Sequence, residues 1–232
     1  IKNIFGVLLG ILWVLIPFIM CEISKEIKKK TPIETLSNEN KQYLLSIAKS
    51  TWAFFETYLN EKNNYLITDN YQEGRKQKTV SRTSSTNIGL SLLAVISSYD
   101  LGFITLEKTI ELLKKILDTI ISLEKWNGHL YNWYDTITKK PLIPRYISTV
   151  DSGNFVGYLY TTKTFLEQSN LPDLEFYINY IDTMINETDF SLLYDKEKQI
   201  FSIGCNIEEN KLTDSYYDLL ASEARQASLV AI

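Results

Sequence analysis

Residues 129–135 read HLYNWYD, and residues 148–158 read STVDSGNFVGY. The first run mixes aromatic and polar side chains in the way of a short β-hairpin, and the second passes from helix-capping residues into an apolar helix. Pro141 and Pro144 lie between the two runs and indicate a turn. Flat aromatic faces beside amides and carboxylates are typical of a loop that holds a polar, hydroxyl-rich ligand.

The same succession occurs elsewhere in the chain. STNIGL at residues 85–90, SGNFVGY at 152–158 and DSYYDL at 214–219 each predict the start of an apolar helix. Counted from Ser85, Ser152 and Ser215, these starts lie 67 and 63 residues apart (152 − 85 and 215 − 152). Amphipathic helices are predicted between them, at about 106–125 and 173–186, and tyrosine-rich extended segments at 65–71, 130–135 and 192–195. A period this regular indicates a structural repeat.

A further helix is predicted from about Glu39 to Leu59, capped by Ser37 or Asn38. Each unit therefore consists of an outer helix, an aromatic hairpin and a capped inner helix. Repeated helical hairpins bury the apolar faces of the inner helices and close into a toroid or stack into a solenoid. The predicted fold class is all-α, with short β-hairpins.

The N-terminal segment is apolar. Residues 3–21 carry no charge and are long enough to cross the bilayer core, about 30 Å thick, as a helix. A secretory signal peptide is the alternative, but no small-residue cleavage site follows. Four lysines come next, which predicts that the rest of the chain is cytoplasmic at the inner membrane: Lys25, Lys28, Lys29 and Lys30. We expect a transmembrane helix at 1–24 and a basic, polar linker at 25–38.

Residues 39–232 are expected to form one helical domain. The chain begins at Ile1 and stops at Ile232 within a helix-forming run, so we expect a piece of a longer protein whose domain continues beyond it. A net charge of −4 and a pI near 5.2 argue against a nucleic-acid partner. Two cysteines and one histidine, His129, predict neither a disulfide framework nor a metal site.

Eight residues are candidates for ligand binding, because their rings could stack on sugar faces or their polar groups could bond hydroxyls. They are Arg82, Asn87, Tyr131, Trp133, Tyr134, Asp135, Asp151 and Asn154. Two plainer interpretations stay open: the polar residues could only cap helices, and the aromatic residues could only pack the hairpin. Strand alternation would place Tyr131 and Trp133 on one face and Tyr134 on the other.

Several stretches resemble the cyclic β-1,2-glucan synthases. They are DNYQE at 69–73, RTSSTNIGL at 82–90, GHLYNWYD at 128–135, STVDSGN at 148–154 and SYYDLLASEAR at 215–225, and the resemblance covers about residues 50–232. It implies an inner-membrane enzyme that builds a linear β-1,2-glucan from UDP-glucose and closes it by transglycosylation. This region would be the first half of the glycoamylase-like cyclisation domain, a partial (α/α)6 toroid, and the preceding membrane helix would end the transferase part.

The resemblance places the catalytic carboxylates C-terminal to Ile232. Retaining transglycosylation needs two carboxyl groups about 5–5.5 Å apart, and Asp218 and Glu223 are the candidates within the chain. No cofactor is expected here; UDP-glucose, and Mg²⁺ with it, would serve the transferase part. The expected partners are the glucan chain and the lipid bilayer, and the oligomeric state stays open. The alternatives are a noncatalytic, membrane-tethered carbohydrate-binding scaffold and part of a β-1,2-glucan hydrolase or phosphorylase.

Overall fold

The computed structural model describes residues 2–24, 36–217 and 224–232. The chain divides into two compact units, residues 1–44 and 45–232. In the first unit, α1 runs from Lys2 to Ile23 and exposes its apolar side chains. Its segment Ile4–Ile23 has a mean hydropathy of 2.7 and is, by length and composition, the one described helix able to cross a membrane.

Helices form most of the second unit. Helix α2 begins in the first unit, where Ser37 caps it by accepting a hydrogen bond from the Asn40 backbone at 3.1 Å. The helices that follow α1 are α2 (Asn38–Tyr58), α3 (Ser85–Asp100), α4 (Leu106–Ser122), α5 (Thr149–Gln168), α6 (Glu175–Glu187) and α7 (Ala224–Val230). Short 3₁₀ turns lie at Glu61–Asn63, Pro172–Leu174 and Phe190–Leu193.

The helices pack in two sets. Helices α3, α5 and α7 lie side by side as inner helices, while α4 packs on α3 and α6 packs on α5. The inner helices approach closely where glycines remove side chains: a Cβ added to Gly153 of α5 would collide with the Ala227 backbone of α7. The outer helix α4 is amphipathic, because Ile110, Leu113 and Leu117 recur at helical spacing and are buried.

The strands are two or three residues long and lie in the connections between helices. The antiparallel pairs are β1 (Arg82–Thr83) with β4 (Tyr134–Asp135), β2 (Lys125–Trp126) with β3 (His129–Leu130), and β6 (Tyr194–Asp195) with β7 (Ile200–Phe201); a three-stranded sheet joins β5 (Tyr146–Ser148), β8 (Gly204–Asn206) and β9 (Lys211–Leu212). Asn127 and Gly128 join β2 to β3 with φ angles of 45° and 81°, as a type I′ turn requires.

The predicted all-α class with short hairpins is confirmed, and two helix starts differ from prediction. Helix α3 begins at Ser85 as predicted, but α5 begins at Thr149, three residues before Ser152. The predicted start at Ser215 is wrong, because Tyr216 forms an antiparallel bridge with Ser202 and the backbone at Ser215 is not helical. Residues 218–223, which precede α7, lie outside the described residues.

Candidate functional site

The pairing of β1 with β4 brings two predicted site residues together. Arg82 lies opposite Asp135 in this pair, and Trp133 immediately precedes β4. The guanidinium carbon of Arg82 consequently lies 4.3 Å from the centroid of the Trp133 ring, a cation–π contact. This contact covers one face of a half-buried tryptophan.

The Asp69 carboxylate holds the Arg82 side chain by hydrogen bonds. Its Oδ2 accepts hydrogen bonds from Arg82 Nη2 at 3.1 Å, from Arg82 Nε at 3.3 Å and from Asn70 Nδ2 at 2.8 Å. Its Oδ1 accepts a bond at 3.1 Å from Nδ2 of Asn87, in the first turn of α3. The Asp69 backbone N–H also donates to the Arg82 carbonyl at 2.9 Å. One carboxylate therefore ties the loop before β1 to β1 and to α3.

Asn132 connects Trp133 to the first turn of α5. With its amide oriented to suit its neighbours, Asn132 Oδ1 accepts from Trp133 Nε1 at 3.1 Å and Nδ2 donates to Asp151 Oδ2 at 3.3 Å. Asp151 suits this place, because an acidic side chain in a first turn faces the positive end of the helix dipole. The residues Asp69, Arg82, Asn87, Asn132, Trp133 and Asp151 thus form a continuous chain of contacts, which we call the mouth cluster.

The N-terminal ends of α3 and α5 are also joined directly. Asn154 Nδ2 donates to Thr86 Oγ1 at 3.4 Å. Ser84 and Ser148 cap these helices by accepting bonds from Asn87 N at 3.1 Å and Asp151 N at 3.3 Å. The first turns of both inner helices therefore lie at the same end of the helix pair.

Asp135 has a structural task in its own turn. Its Oδ1 accepts backbone hydrogen bonds from Ile137 at 3.0 Å and Thr138 at 2.6 Å. An aspartate that bonds the backbone two and three residues ahead stabilises a turn. Asp135 thus stabilises the segment that follows β4.

Two of the predicted sugar-stacking residues belong to the core. Tyr134 is 0% exposed and Tyr131 is 3% exposed, so further protein could only cover them more. The Tyr134 hydroxyl accepts from Tyr131 N at 2.9 Å and donates to the Glu124 carbonyl at 2.6 Å, and burial raises its pKa. The proposed stacking role of both tyrosines is therefore wrong. The predicted alternation fails because residues 131–133, between β3 and β4, are not in a strand.

His129 is a buried structural residue next to the site. Its Nε2 lies 3.0 Å from the Asp189 carbonyl oxygen and therefore donates, which leaves Nδ1 to accept from Ser152 Oγ at 2.9 Å. Burial lowers the pKa of His129 and favours the neutral ring. Ser152, expected as a helix start, instead bonds this histidine from within α5.

The two candidate catalytic residues, Asp218 and Glu223, lie outside the described residues. Among the residues that the structure describes, no group of three histidine, cysteine or acidic side chains could hold a metal ion. Cys205 is buried in β8, and burial raises the pKa of its thiol. The described part of the site offers arginine, amide and carboxylate groups suited to hydrogen-bonding hydroxyls, and the Trp133 ring suited to stacking.

The helical arrangement has counterparts among solved structures. A β-1,2-glucanase from Parabacteroides distasonis matches 82% of this chain and 27% of its own length, with a TM-score of 0.68 and 15% identity. An endo-β-1,2-glucanase from Chitinophaga pinensis, in complex with sophorotriose and glucose, matches 75% of this chain and 43% of its own, with a TM-score of 0.64 and 14% identity. With glucoamylase-like proteins that match equally well, they establish the fold as part of an (α/α) toroid.

Sequence comparison finds a relative with higher identity than these structures. The chain is 37% identical over 154 residues to the cyclic β-(1,2)-glucan synthase NdvB of Rhizobium meliloti strain 1021. This match covers 66% of the chain but only 5% of the relative's length. No family model matches the chain. The resemblance to cyclic β-1,2-glucan synthases is thereby confirmed.

Sequence reasoning missed the roles of two members of the mouth cluster. Asp69 stands in the DNYQE stretch and Asn132 in the aromatic segment, and neither is among the eight predicted ligand-binding residues. The partners of Asp69 lie 1, 13 and 18 positions away, and those of Asn132 lie 1 and 19 positions away. A signal was present nonetheless, because Asp69, Asn87 and Asn132 all lie within the stretches that carry the resemblance.

Proposed function

We propose that this chain belongs to a membrane-bound cyclic β-1,2-glucan synthase, in the domain that binds linear β-1,2-glucan and cyclises it by transglycosylation. The support is the identity to NdvB together with the β-1,2-glucanases among the structural matches. The described residues supply the substrate-holding part of that domain. The nucleophile and the acid/base would come from residues 218–223 or from later residues.

The observation that carries this proposal is the stack of Arg82 on Trp133. A guanidinium has five N–H donors, and Asp69 occupies two of them, so three remain for sugar hydroxyls. Arg82 covers one face of Trp133, so a pyranose ring would stack on the opposite face. Asp151, with one of its roughly four lone-pair sites taken by Asn132, can accept from further hydroxyls.

The geometry suits a polysaccharide better than a compact anionic ligand. Two carboxylates, Asp69 and Asp151, accompany the single guanidinium of Arg82, so the mouth cluster is not a phosphate-binding site of gathered cations. A β-1,2-glucan is uncharged and presents hydroxyls and flat ring faces. The phosphorylase alternative therefore has little support from the described residues.

The membrane part of the proposal rests on α1. We propose that Ile4–Ile23 spans the inner membrane, with the helical domain on the cytoplasmic side. The parent enzyme would use UDP-glucose, with Mg²⁺, in a separate transferase domain.

The test uses the full-length protein in detergent with linear β-1,2-glucan as substrate and mass spectrometry of cyclic products. Wild type should form cyclic β-1,2-glucan and leave a β-1,3-glucan unchanged. Arg82→Ala should lower kcat/KM about tenfold or more, because a charged hydrogen-bonding partner is lost. Lys163→Ala is the matched control: it removes a cation that is ion-paired with Asp182, well along α5 from the mouth cluster.

Two outcomes would count against the proposal. Glucan binding without any turnover by the full-length protein would favour the noncatalytic carbohydrate-binding scaffold. Equal losses in Arg82→Ala and Lys163→Ala would show that Arg82 acts only through general stability.

A further inference from the structure

We propose that Asp69 is a positioning residue: its carboxylate fixes the Arg82 guanidinium against Trp133 and so sets which ring face receives the glucan. This inference rests on the proposed function of the same site. An aspartate can also act as a nucleophile or as a general base. The hydrogen-bond partners of the Asp69 carboxylate distinguish a positioning role from these two.

Both carboxylate oxygens of Asp69 are engaged by protein donors. Oδ2 accepts from Arg82 Nε, Arg82 Nη2 and Asn70 Nδ2, and Oδ1 accepts from Asn87 Nδ2. A nucleophile needs a free lone pair aimed at the sugar, and a general base needs one aimed at a hydroxyl. Asp69 therefore acts through its neighbours.

Its burial suits the same role. The side chain of Asp69 is 18% exposed, whereas that of Arg82 is 45% exposed. The carboxylate is thus the less exposed member of the ion pair. A long arginine side chain at the surface would otherwise sample many rotamers, and a fixed partner removes that freedom before the ligand arrives.

Further hydrogen bonds hold Asp69 and the loop around it in place. The Asp69 N–H donates to the Arg82 carbonyl at 2.9 Å, and Thr68 Oγ1 donates to the Val80 carbonyl at 2.6 Å. The Asn87 amide adds a contact from α3, whose cap is Ser84. The loop around Asp69 is consequently tied to β1 and α3 at several points, which is the support that a pre-organised binding group needs.

The consequence for Trp133 is specific. The guanidinium over one ring face leaves only the opposite face for stacking. Loss of Asp69 would free Arg82 to leave the ring or to compete with the sugar for either face. Binding of glucan should weaken, while the chemistry at the catalytic carboxylates should continue.

The experiment is a double-mutant cycle on the full-length protein in detergent, with Asp69→Ala, Arg82→Ala and the double variant. We expect Asp69→Ala to raise KM for linear β-1,2-glucan about tenfold while kcat stays within about twofold. The double variant should be no worse than Arg82→Ala alone, because Asp69 acts through Arg82. Asp69→Asn, which keeps one acceptor oxygen, should recover part of the affinity. Asp182→Asn, which breaks an ion pair between α5 and α6, is the matched control and should leave KM unchanged.

A second measurement needs no glucan. The near-ultraviolet circular dichroism of Trp133, isolated by subtracting the spectrum of Trp133→Phe, should change alike in Asp69→Ala and Arg82→Ala. An unchanged Trp133 signal in Asp69→Ala, or a fall in kcat of about a thousandfold in Asp69→Asn, would overturn the inference. Additive effects in the cycle would do the same. If wild type failed to act on β-1,2-glucan, the proposed function would fall, and the Trp133 signal would still decide whether Asp69 positions Arg82.

Discussion

Trp133 and Tyr134 are adjacent aromatic residues that occupy opposite environments. Trp133 is half-buried beneath the Arg82 guanidinium, and its indole N–H bonds Asn132. Tyr134 is fully buried, and its hydroxyl bridges the backbone of Tyr131 and Glu124. One of the two rings can meet a ligand, whereas the other holds the mouth in shape.

The contrast shows that neighbouring residues of the aromatic segment have different structural roles. The buried ring and the buried His129 fix the path of the chain from β3 to β4. That path places Trp133 where β1 delivers Arg82. Half-buried and fully buried aromatic side chains therefore follow no strict alternation along this segment.

The largest effect is expected from removing the supporting ring. Tyr134→Ala should destabilise the helical domain by about 3–5 kcal/mol, because it leaves a large cavity and two unpaired backbone groups. The measurement is the unfolding midpoint of the detergent-solubilised protein. Tyr134→Phe keeps the ring and loses only the hydroxyl, so it should cost about 1–3 kcal/mol. A Tyr134→Ala protein as stable as wild type would contradict the core assignment.

The next effect concerns the ligand-facing ring. Trp133→Ala should weaken transition-state binding by about 1–3 kcal/mol through loss of a stacking face, with much less change in stability than Tyr134→Ala. The assay is cyclisation of linear β-1,2-glucan by the full-length variant. Phe176→Ala is the control, since Phe176 is 61% exposed on the outer helix α6. Equal rates for Trp133→Ala and wild type would show that Trp133 only packs the hairpin.

A smaller effect on stability is expected from the N-cap of α5, Ser148. Ser148→Ala removes the N-cap and should cost about 1 kcal/mol. Ser148→Asn retains a capping side chain and should recover most of that loss. Both variants can be compared by their unfolding midpoints. If Ser148→Asn were no better than Ser148→Ala, the capping explanation would fail.

The helices could be predicted because their signals are local. Apolar residues at helical spacing define α4, and cap residues stand next to the helices that they start, so α3 begins at the predicted Ser85. The start of α5 was misplaced because Ser148, Thr149, Asp151 and Ser152 are all suitable caps. Ser152 instead bonds His129, which lies 23 positions away in the sequence.

The site could be predicted only in part, for the same reason. Arg82, Asn87, Trp133 and Asp151 do come together, and their types alone suggested polar recognition. The pattern could not show that Asp69 organises them, because its donors arrive from β1 and α3. Nor could it show that Tyr131 and Tyr134 turn inward, since the irregular backbone before β4 breaks the alternation of a strand.

The smallest effect is one of pH, because it is absent at neutral pH. Burial holds the pKa of His129 below its usual value of 6.5, so the unfolded chain binds a proton more readily than the folded one. Stability should therefore be constant above the unfolded pKa and decline as the pH falls below it, until the folded pKa is passed. Protonation would also turn Nδ1 from an acceptor into a donor facing the Ser152 hydroxyl.

The measurement compares unfolding midpoints at about pH 7.5 and pH 5 for wild type and His129→Gln. Because His129 is the chain's single histidine, the difference between the two proteins isolates its titration from that of other domains. A wild-type midpoint that falls no more than that of His129→Gln would show that the buried ring does not couple folding to protons.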